Sequence, residues 1–390
     1  MSTNILLTGG RAPVTLDLAR LLSVAGYKVF VADSIKHHLC TASRAVIKNF
    51  LVPPPRLDPK GYIDALLKII QQEKIGFLIP TCEEIFYISN QISQLTPYCQ
   101  VFSEQLEKLN RLHNKWQFIN RVQQLGLTAP QTWIVNSHKD LLDILDLPIP
   151  NNIVLKPVYS RFASHVHILS KPVSKIPSLE INSNKAWVAQ EFISGKHYCT
   201  YSIAHQGKVV AHAVYPTLFT AGKGSCIYFE SIEHGRLLEW VKTFVEAEEF
   251  TGQIAFDFIE ADDGTLYPLE CNPRAISAIH LFEASDGLER AFFNNTNIII
   301  QPKVGQRSAI AMAMIVYGLP SAIRSGSLGR WLEIFMRTKD VVFRLSDPLP
   351  FFHLWIVLFQ FIHMSRRSGL TLQQASTQDI EWDGEEIGST

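Results

Sequence analysis

Two short runs on either side of Asp263-Gly264 constrain this chain more tightly than any other part of it. Ile254-Ala255-Phe256-Asp257-Phe258-Ile259 and Leu266-Tyr267-Pro268-Leu269-Glu270 have the content of strands, and Asp-Gly is a dipeptide that two-residue hairpin turns favour. With Asp263 and Gly264 at the centre of the turn, Asp262 faces Thr265, and counting back along both strands sets Asp257 opposite Glu270 on one face. Asn272, two residues on, shares that face. Two carboxylates placed opposite each other among apolar neighbours repel unless a cation or a proton lies between them. Oxygen ligands from Asp, Glu and Asn suit Mg²⁺, a hard cation commonly shared between protein carboxylates and substrate phosphates. Asp257, Glu270 and Asn272 are therefore the candidate metal ligands, with Arg274 a fixed positive charge beside them.

What surrounds this hairpin is bounded by composition. At 390 residues and 47% hydrophobic content the chain can bury a large core, and its length suggests two or three domains. A formal net charge of +0 leaves no basic field to attract nucleic acid, so small-molecule substrates are the expected partners, with a homodimer left open. Six cysteines are scattered without a CxxC pair, which points to reduced thiols rather than a zinc site or a disulfide framework. The N-terminus passes from a short polar lead into Ile5-Leu6-Leu7 with no basic region or cleavage site, so a cytoplasmic location is expected.

The chain opens with a βαβ pattern: NILLTGG, an amphipathic run starting at Pro13 and closed by Gly26, and a second strand ending at Asp33. A helix near Tyr62 to Glu73 and an apolar strand Ile75 to Ile79 follow, as in an open α/β sheet, whose ligands lie beyond the carboxyl ends of its strands. That placement makes Arg11, Glu83 and Glu84 candidate substrate contacts. Gly9-Gly10-Arg11 does not satisfy G-x-G-x-x-G, which disfavours a dinucleotide site. Beyond Asn110 the pattern becomes α+β: a helix Lys115 to Leu125, strands at Thr132 to Val135, Ile153 to Pro157, Ala186 to Phe192, Tyr198 to His205 and Lys208 to Ala213, then a helix Leu237 to Glu249.

Near the end, Phe351 to Met364 reads FFHLWIVLFQFIHM before Arg366-Arg367. A spanning helix needs about 20 predominantly apolar residues, and this run is shorter and carries His353, Gln360 and His363. Membrane association is disfavoured, and the expectation is a helix that docks on the protein through Phe352, Trp355, Ile356 and Phe359.

Lys115, Lys156, Gln190-Glu191-Phe192-Ile193, Asp257 and Glu270-Cys271-Asn272-Pro273-Arg274, in that order and spacing, resemble the ATP-grasp superfamily of carboxylate-activating ligases, such as the carbamoyl-phosphate synthase large chain and biotin carboxylase. The resemblance implies an N-terminal open parallel α/β pre-grasp domain over 1–109. A two-lobed α+β ATP-grasp domain would follow over 110–305, with a small helical C-terminal extension over 306–390. It further implies ATP and Mg²⁺ (or Mn²⁺) as cofactors. Lys115 and Lys156 would contact phosphates, the backbone of Glu191 and Ile193 within Gln190 to Ile193 would read adenine, and Arg274 would stabilise the transferred phosphoryl group and the acyl phosphate. Two departures stand out. Gly195 is followed by Lys196 and His197 where the family commonly has an acidic ribose ligand, leaving His197 for that hydrogen bond. The phosphate-covering loop, Pro157 to Ser164, has no glycine, so Ser160, Arg161 and Ser164 could replace backbone contacts, or the loop Ala221-Gly222-Lys223-Gly224-Ser225 could cover the nucleotide instead.

The activity so implied is phosphorylation of a carboxylate, with an amine displacing phosphate to form a C–N bond and ADP and phosphate released. Activation of an enol or hydroxyl group, or a non-catalytic ATP-binding sensor, are the alternatives. Cys271 falls on the face opposite Glu270 and is expected to be packed rather than reactive.

Overall fold

The computed structural model describes residues 3–148, 152–161, 165–170, 176–221 and 224–388. The first strands, β1 (Asn4–Thr8), β2 (Lys28–Asp33), β3 (Val46–Leu51), β4 (Ile75–Ile79) and β5 (Gln100–Val101), form a parallel sheet in the order β3-β2-β1-β4-β5. Both faces are covered because successive side chains alternate. Ile5, Leu7, Val29 and Val31 pack with Leu16, Leu18 and Leu22 of α1 (Pro13–Val24), while Leu6, Phe30 and Leu78 pack with Tyr62, Ile63 and Leu66 of α2 (Pro59–Gln72). Pro13 and Pro59 each occupy the first helical turn, where the missing N–H costs nothing.

Among the sheets that follow in the described residues, two are four-stranded. One contains β6 (Thr132–Val135), β7 (Ile153–Pro157), β8 (His167–Leu169) and β9 (Trp187–Glu191) in the order β6-β9-β7-β8, over its own small core of Val135, Leu141, Ile144, Ile153, Leu155 and Ala189. The other contains β10 (Lys196–His205), β11 (Lys208–Pro216), β12 (Gly252–Glu260) and β13 (Leu266–Asn272) in the order β11-β10-β12-β13. Phe256 and Phe258 of β12 pack against Phe118 of α3 (Lys115–Gln124) and Trp240 and Phe244 of α4 (Gly235–Ala247). The larger sheet therefore shares its core with the N-terminal unit, whereas the smaller sheet has a core of its own. Residues 192–195 join the two. Gly195 is needed there, because a Cβ at this position would lie 2.1 Å from the Glu260 carbonyl oxygen.

The C-terminal helix α5 (Leu349–Ser368) corrects the sequence reading of its faces. Phe352 (62% exposed), Trp355 (45%), Ile356 (48%) and Phe359 (69%) do not dock on the protein. The docked face instead carries Pro350, Leu354, Val357 and Phe361, with His353 and Gln360 beside it and His363 exposed. Gln360 accepts a hydrogen bond from the His37 N–H and donates one to the His37 carbonyl, both at 3.3 Å, and the His353 and His37 rings lie 5.8 Å apart. An amide that satisfies both backbone groups of one residue can be buried at little cost, and here it helps fix which side of a helix apolar on both sides turns inward. Among the described residues no helix is long and apolar enough to cross a membrane.

Candidate active site

The expected pairing of Asp257 with Glu270 is present, but the path to it differs from the sequence count. Ala261, not Asp262, faces Thr265: the Ala261 N–H donates to the Thr265 carbonyl at 2.9 Å, leaving Asp262, Asp263 and Gly264 as a three-residue loop. Gly264 takes φ +82, the left-handed conformation such a loop places at its third residue. This moves the register by one, as Glu260 opposite Leu266 and Phe258 opposite Pro268 record. A bulge then moves it back: Asp257 pairs with Glu270, so Leu269 is the extra residue. The bulge has a chemical use, because the Leu269 carbonyl accepts a hydrogen bond from Lys156 Nζ at 3.1 Å.

Lys156 reaches the hairpin because alternation along β7 turns it away from the small core that holds Ile153 and Leu155. Its ammonium also donates to Gln190 Oε1 at 2.9 Å, and Gln190 Nε2 donates to Thr132 Oγ1 at 2.9 Å, which fixes the amide orientation. Lys115 begins α3, capped by Asn114, whose side chain accepts from the Gln117 N–H at 3.0 Å. Its Nζ lies 3.3 Å from Glu270 Oε2 and donates to the Ser160 carbonyl at 3.4 Å. Asn272 Nδ2 donates to Glu270 Oε1 at 3.3 Å, and Arg274 Nη2 lies 3.5 Å from both Asn272 Oδ1 and Glu83 Oε1. Among the described residues the buried Arg274 Nε has no hydrogen-bond partner. Lys115, Lys156, Gln190, Asp257, Glu270, Asn272 and Arg274 are thus brought together.

The charges in this group are not balanced pair by pair. Burial, then the adjacent Glu270, push the Asp257 carboxyl well above its ordinary value. Burial also acts to raise Glu270, but Lys115 and Lys156 outweigh it and hold this carboxyl ionised, at about 2. Burial and neighbouring Lys115 lower Lys156 to about 8, against the pull of Glu270 and Asp257. Among the described residues no group of three or more His, Cys, Asp or Glu converges on one point. Asp257 and Glu270 face each other, and the Asn272 side chain lies beside Glu270; donors of this kind fit a divalent cation whose remaining positions would be filled by phosphate and water.

Other predicted residues lie elsewhere or have other roles. Arg11 is an internal tie: its guanidinium donates to Asp33 at 2.6 Å and Asp379 at 2.5 Å, and also to Ser34 and the Ser376 carbonyl. Glu84 accepts from Thr8 Oγ1 at 2.6 Å and from the Thr81 and Cys82 N–H groups, so it holds the turn after β4. Neither is open to a substrate. Glu83 does border the site, between Arg161 and Arg274. Glu191, Phe192 and Ile193 lie at the junction of the two sheets, and His197 is exposed at the start of β10. Lys223 and residues 162–164 lie outside the described residues.

Sequence reasoning missed two groups. Arg161 also binds Glu381 at 2.9 Å, Asp383 at 2.7 Å and the Trp382 carbonyl at 2.6 Å. Trp382 stacks on Phe86 and meets Tyr159 edge-on, so a C-terminal segment forms one wall beside the loop after β7. Its only signal was the acid-rich EWDGEE run. Cys199, opposite Asp257 across β10 and β12, shares Thr217 Oγ1 with Cys226 and carried no signal at all.

Residues 112–278 match the sequence model of the ATP-grasp domain family. This segment is an ATP-grasp domain. A curated relative, an uncharacterized protein of Methanocaldococcus jannaschii, is 24% identical over 211 residues. The match covers 52% of this chain and 51% of the relative, so the chain spans about half the length of that relative. Among solved structures, the N5-carboxyaminoimidazole synthetase of Staphylococcus aureus complexed with ADP is similar with a TM-score of 0.62 and 12% identity, covering 83% of this chain and 87% of that one. An L-amino acid ligase of Bacillus licheniformis is similar with a TM-score of 0.55 and 16% identity, covering 71% and 69%. That fold accounts for the two sheets joined at 192–195.

Proposed function

We propose that this chain is an ATP- and Mg²⁺-dependent ligase that phosphorylates a carboxylate, after which an amine displaces phosphate to form a C–N bond. The observation that carries the reading is the group of two buried lysines and two facing carboxylates, whose charges are satisfied together by a polyphosphate and a divalent cation. ATP supplies the phosphoryl group, and every other contribution comes from positioning and electrostatics. Lys156, held by Gln190 and the Leu269 bulge, and Lys115, held at a helix start, present fixed ammonium groups to phosphate oxygens. Asp257, Glu270 and Asn272 hold the metal. The edge formed by Glu191 to Ile193 receives the base, with His197 near the ribose. Arg274 lies 3.5 Å from two side-chain acceptors and donates to the Ala275 carbonyl at 3.2 Å, so the far side of its guanidinium is offered to charge that develops during transfer. The amine acceptor is supported by similarity to a fold whose solved members include an amino acid ligase.

The test is ADP and phosphate release by the purified chain against a panel of carboxylic acids, each with and without amines. Release that depends on one acid, with a coupled amide product, is expected. Lys156→Ala should raise KM for ATP, while Arg274→Ala should lower kcat about 100-fold or more with a smaller change in KM. ADP release that depends on no acid, or an Arg274→Ala variant altered only in KM, overturns the assignment.

A further inference from the structure

Among the described residues nothing covers the outward face of α5, and its composition says what could cover it. Leu349, Phe352, Ile356 and Phe359 recur at intervals of three and four residues, with Trp355 beside them, so the exposed aromatic and aliphatic side chains form one continuous stripe. The opposite face is anchored through Val357, Phe361 and the Gln360 bonds to His37, so the stripe is held outward on a rigid body. Continuing the same stripe, His363 and then Arg366 and Arg367 are exposed at the C-terminal end. The 20-residue helix contains no Asp or Glu.

We propose that this face docks on an anionic lipid surface, with the helix lying in the plane of the interface. Exposed Phe and Trp bury their rings at the headgroup boundary, and arginines at the end of the stripe find counter-charge in anionic headgroups. The helix does not need to span, consistent with its failing the length and hydropathy of a membrane-crossing segment. Charge selects lipid over a second copy of this chain, because a copy laid on the same face brings no carboxylate from its own α5 to meet Arg366 and Arg367. The sequence expectation that disfavoured a membrane rested on the shortness of the run and on His353, Gln360 and His363, and it left Phe352, Trp355, Ile356 and Phe359 to dock on the protein, where they are instead exposed.

The experiment is flotation of the purified full chain with vesicles of mixed phosphatidylglycerol and phosphatidylcholine, beside vesicles of phosphatidylcholine alone. Binding to the anionic vesicles, weakened by salt, is expected. Phe352→Ser combined with Phe359→Ser should cut the bound fraction ~10-fold or more, since both rings are lost from the stripe. Arg366→Ala combined with Arg367→Ala should cut it ~10-fold and erase the difference between the two vesicle types. The arginine pair does not touch the core, so this second variant remains informative if the first unfolds. No flotation of the unmodified chain with anionic vesicles overturns the proposal. So does a dimer in light scattering that Phe352→Ser with Phe359→Ser dissolves, which assigns the stripe to a second copy.

Discussion

Two arginines meet at Glu83, and the difference between them separates the part of the molecule built for structure from the part built for chemistry. Arg161 is gripped by Glu83, Glu381, Asp383 and the Trp382 carbonyl, and these carboxylates raise its pKa even against the cost of burial. Among the described residues Arg274 has contacts of 3.5 Å to Glu83 and Asn272, one of 3.2 Å to the Ala275 carbonyl, and a buried Nε with no acceptor. The cluster around Arg161 is an ion network closed on itself. The cluster below Arg274, with Lys115, Lys156, Asp257 and Glu270, is left with like charges side by side. A protein keeps such an arrangement where a ligand completes it, since unpaired buried charge is costly in the free state.

The sharpest way to break this contrast is to neutralise one group on each side and compare activity. Glu270→Gln should keep the fold, because the amide retains the side chain's size and hydrogen-bonding capacity. It should nevertheless lower ADP formation by about 1000-fold or more, because a neutral amide is a poor ligand for a hard divalent cation. Circular dichroism and an ADP assay on the same preparation check both halves. Full ADP formation by the variant would remove the hairpin from the chemistry.

Stability should respond in the opposite sense. Arg161→Met should cost about 3 kcal/mol in urea unfolding, because it leaves Glu83, Glu381 and Asp383 facing one another without their shared cation. Arg274→Met should cost about 1 kcal/mol or less, in keeping with its long contacts. Equal losses would mean that the two arginines are equally structural.

These two regions also differ in how much of them was legible in the sequence. The hairpin was legible because strand alternation and turn chemistry are local, and a single face carries Asp257, Glu270 and Asn272. Even so, the count reached Asp257 and Glu270 through two offsets that cancel, the three-residue loop and the bulge at Leu269. The Arg161 network was not legible, because its partner Glu381 is 220 residues away and nothing local marks the pairing. For α5 the period correctly predicted a helix, but both of its faces are apolar, so periodicity could not choose which one packs. The choice was made by Gln360 and His37, 323 residues apart. Arg11 misled for a related reason: its place beyond the strand ends fits a substrate contact, and only the distant Asp379 reveals a tie.

The smallest expected effect is the most discriminating, because it predicts opposite pH slopes for the two regions. Glu83 is buried, yet Arg161 and Arg274 lower its pKa, and Arg11 does the same for buried Asp379. Such groups contribute stability that is present above their unfolded pKa values and lost as pH falls through the lowered folded ones. Asp257 is shifted the other way, by burial and by Glu270. Its folded form holds a proton that the unfolded chain releases above the ordinary value of 3.8, so its contribution is present below that value and lost as pH rises through the raised folded one. Metal-free protein should therefore gain stability from the first groups as pH climbs through the carboxylate range, while the share held by Asp257 is lost as pH rises above 3.8. Asp257→Asn should remove only this second contribution, leaving the metal-free variant more stable than the unmodified chain above the ordinary carboxylate range while abolishing turnover. Urea midpoints measured from acid to mildly alkaline pH without divalent cations check it. If the variant is no more stable than the unmodified chain on the alkaline side, the carboxylates are not in conflict, and the contrast between a self-satisfied network and a ligand-seeking one fails at its centre.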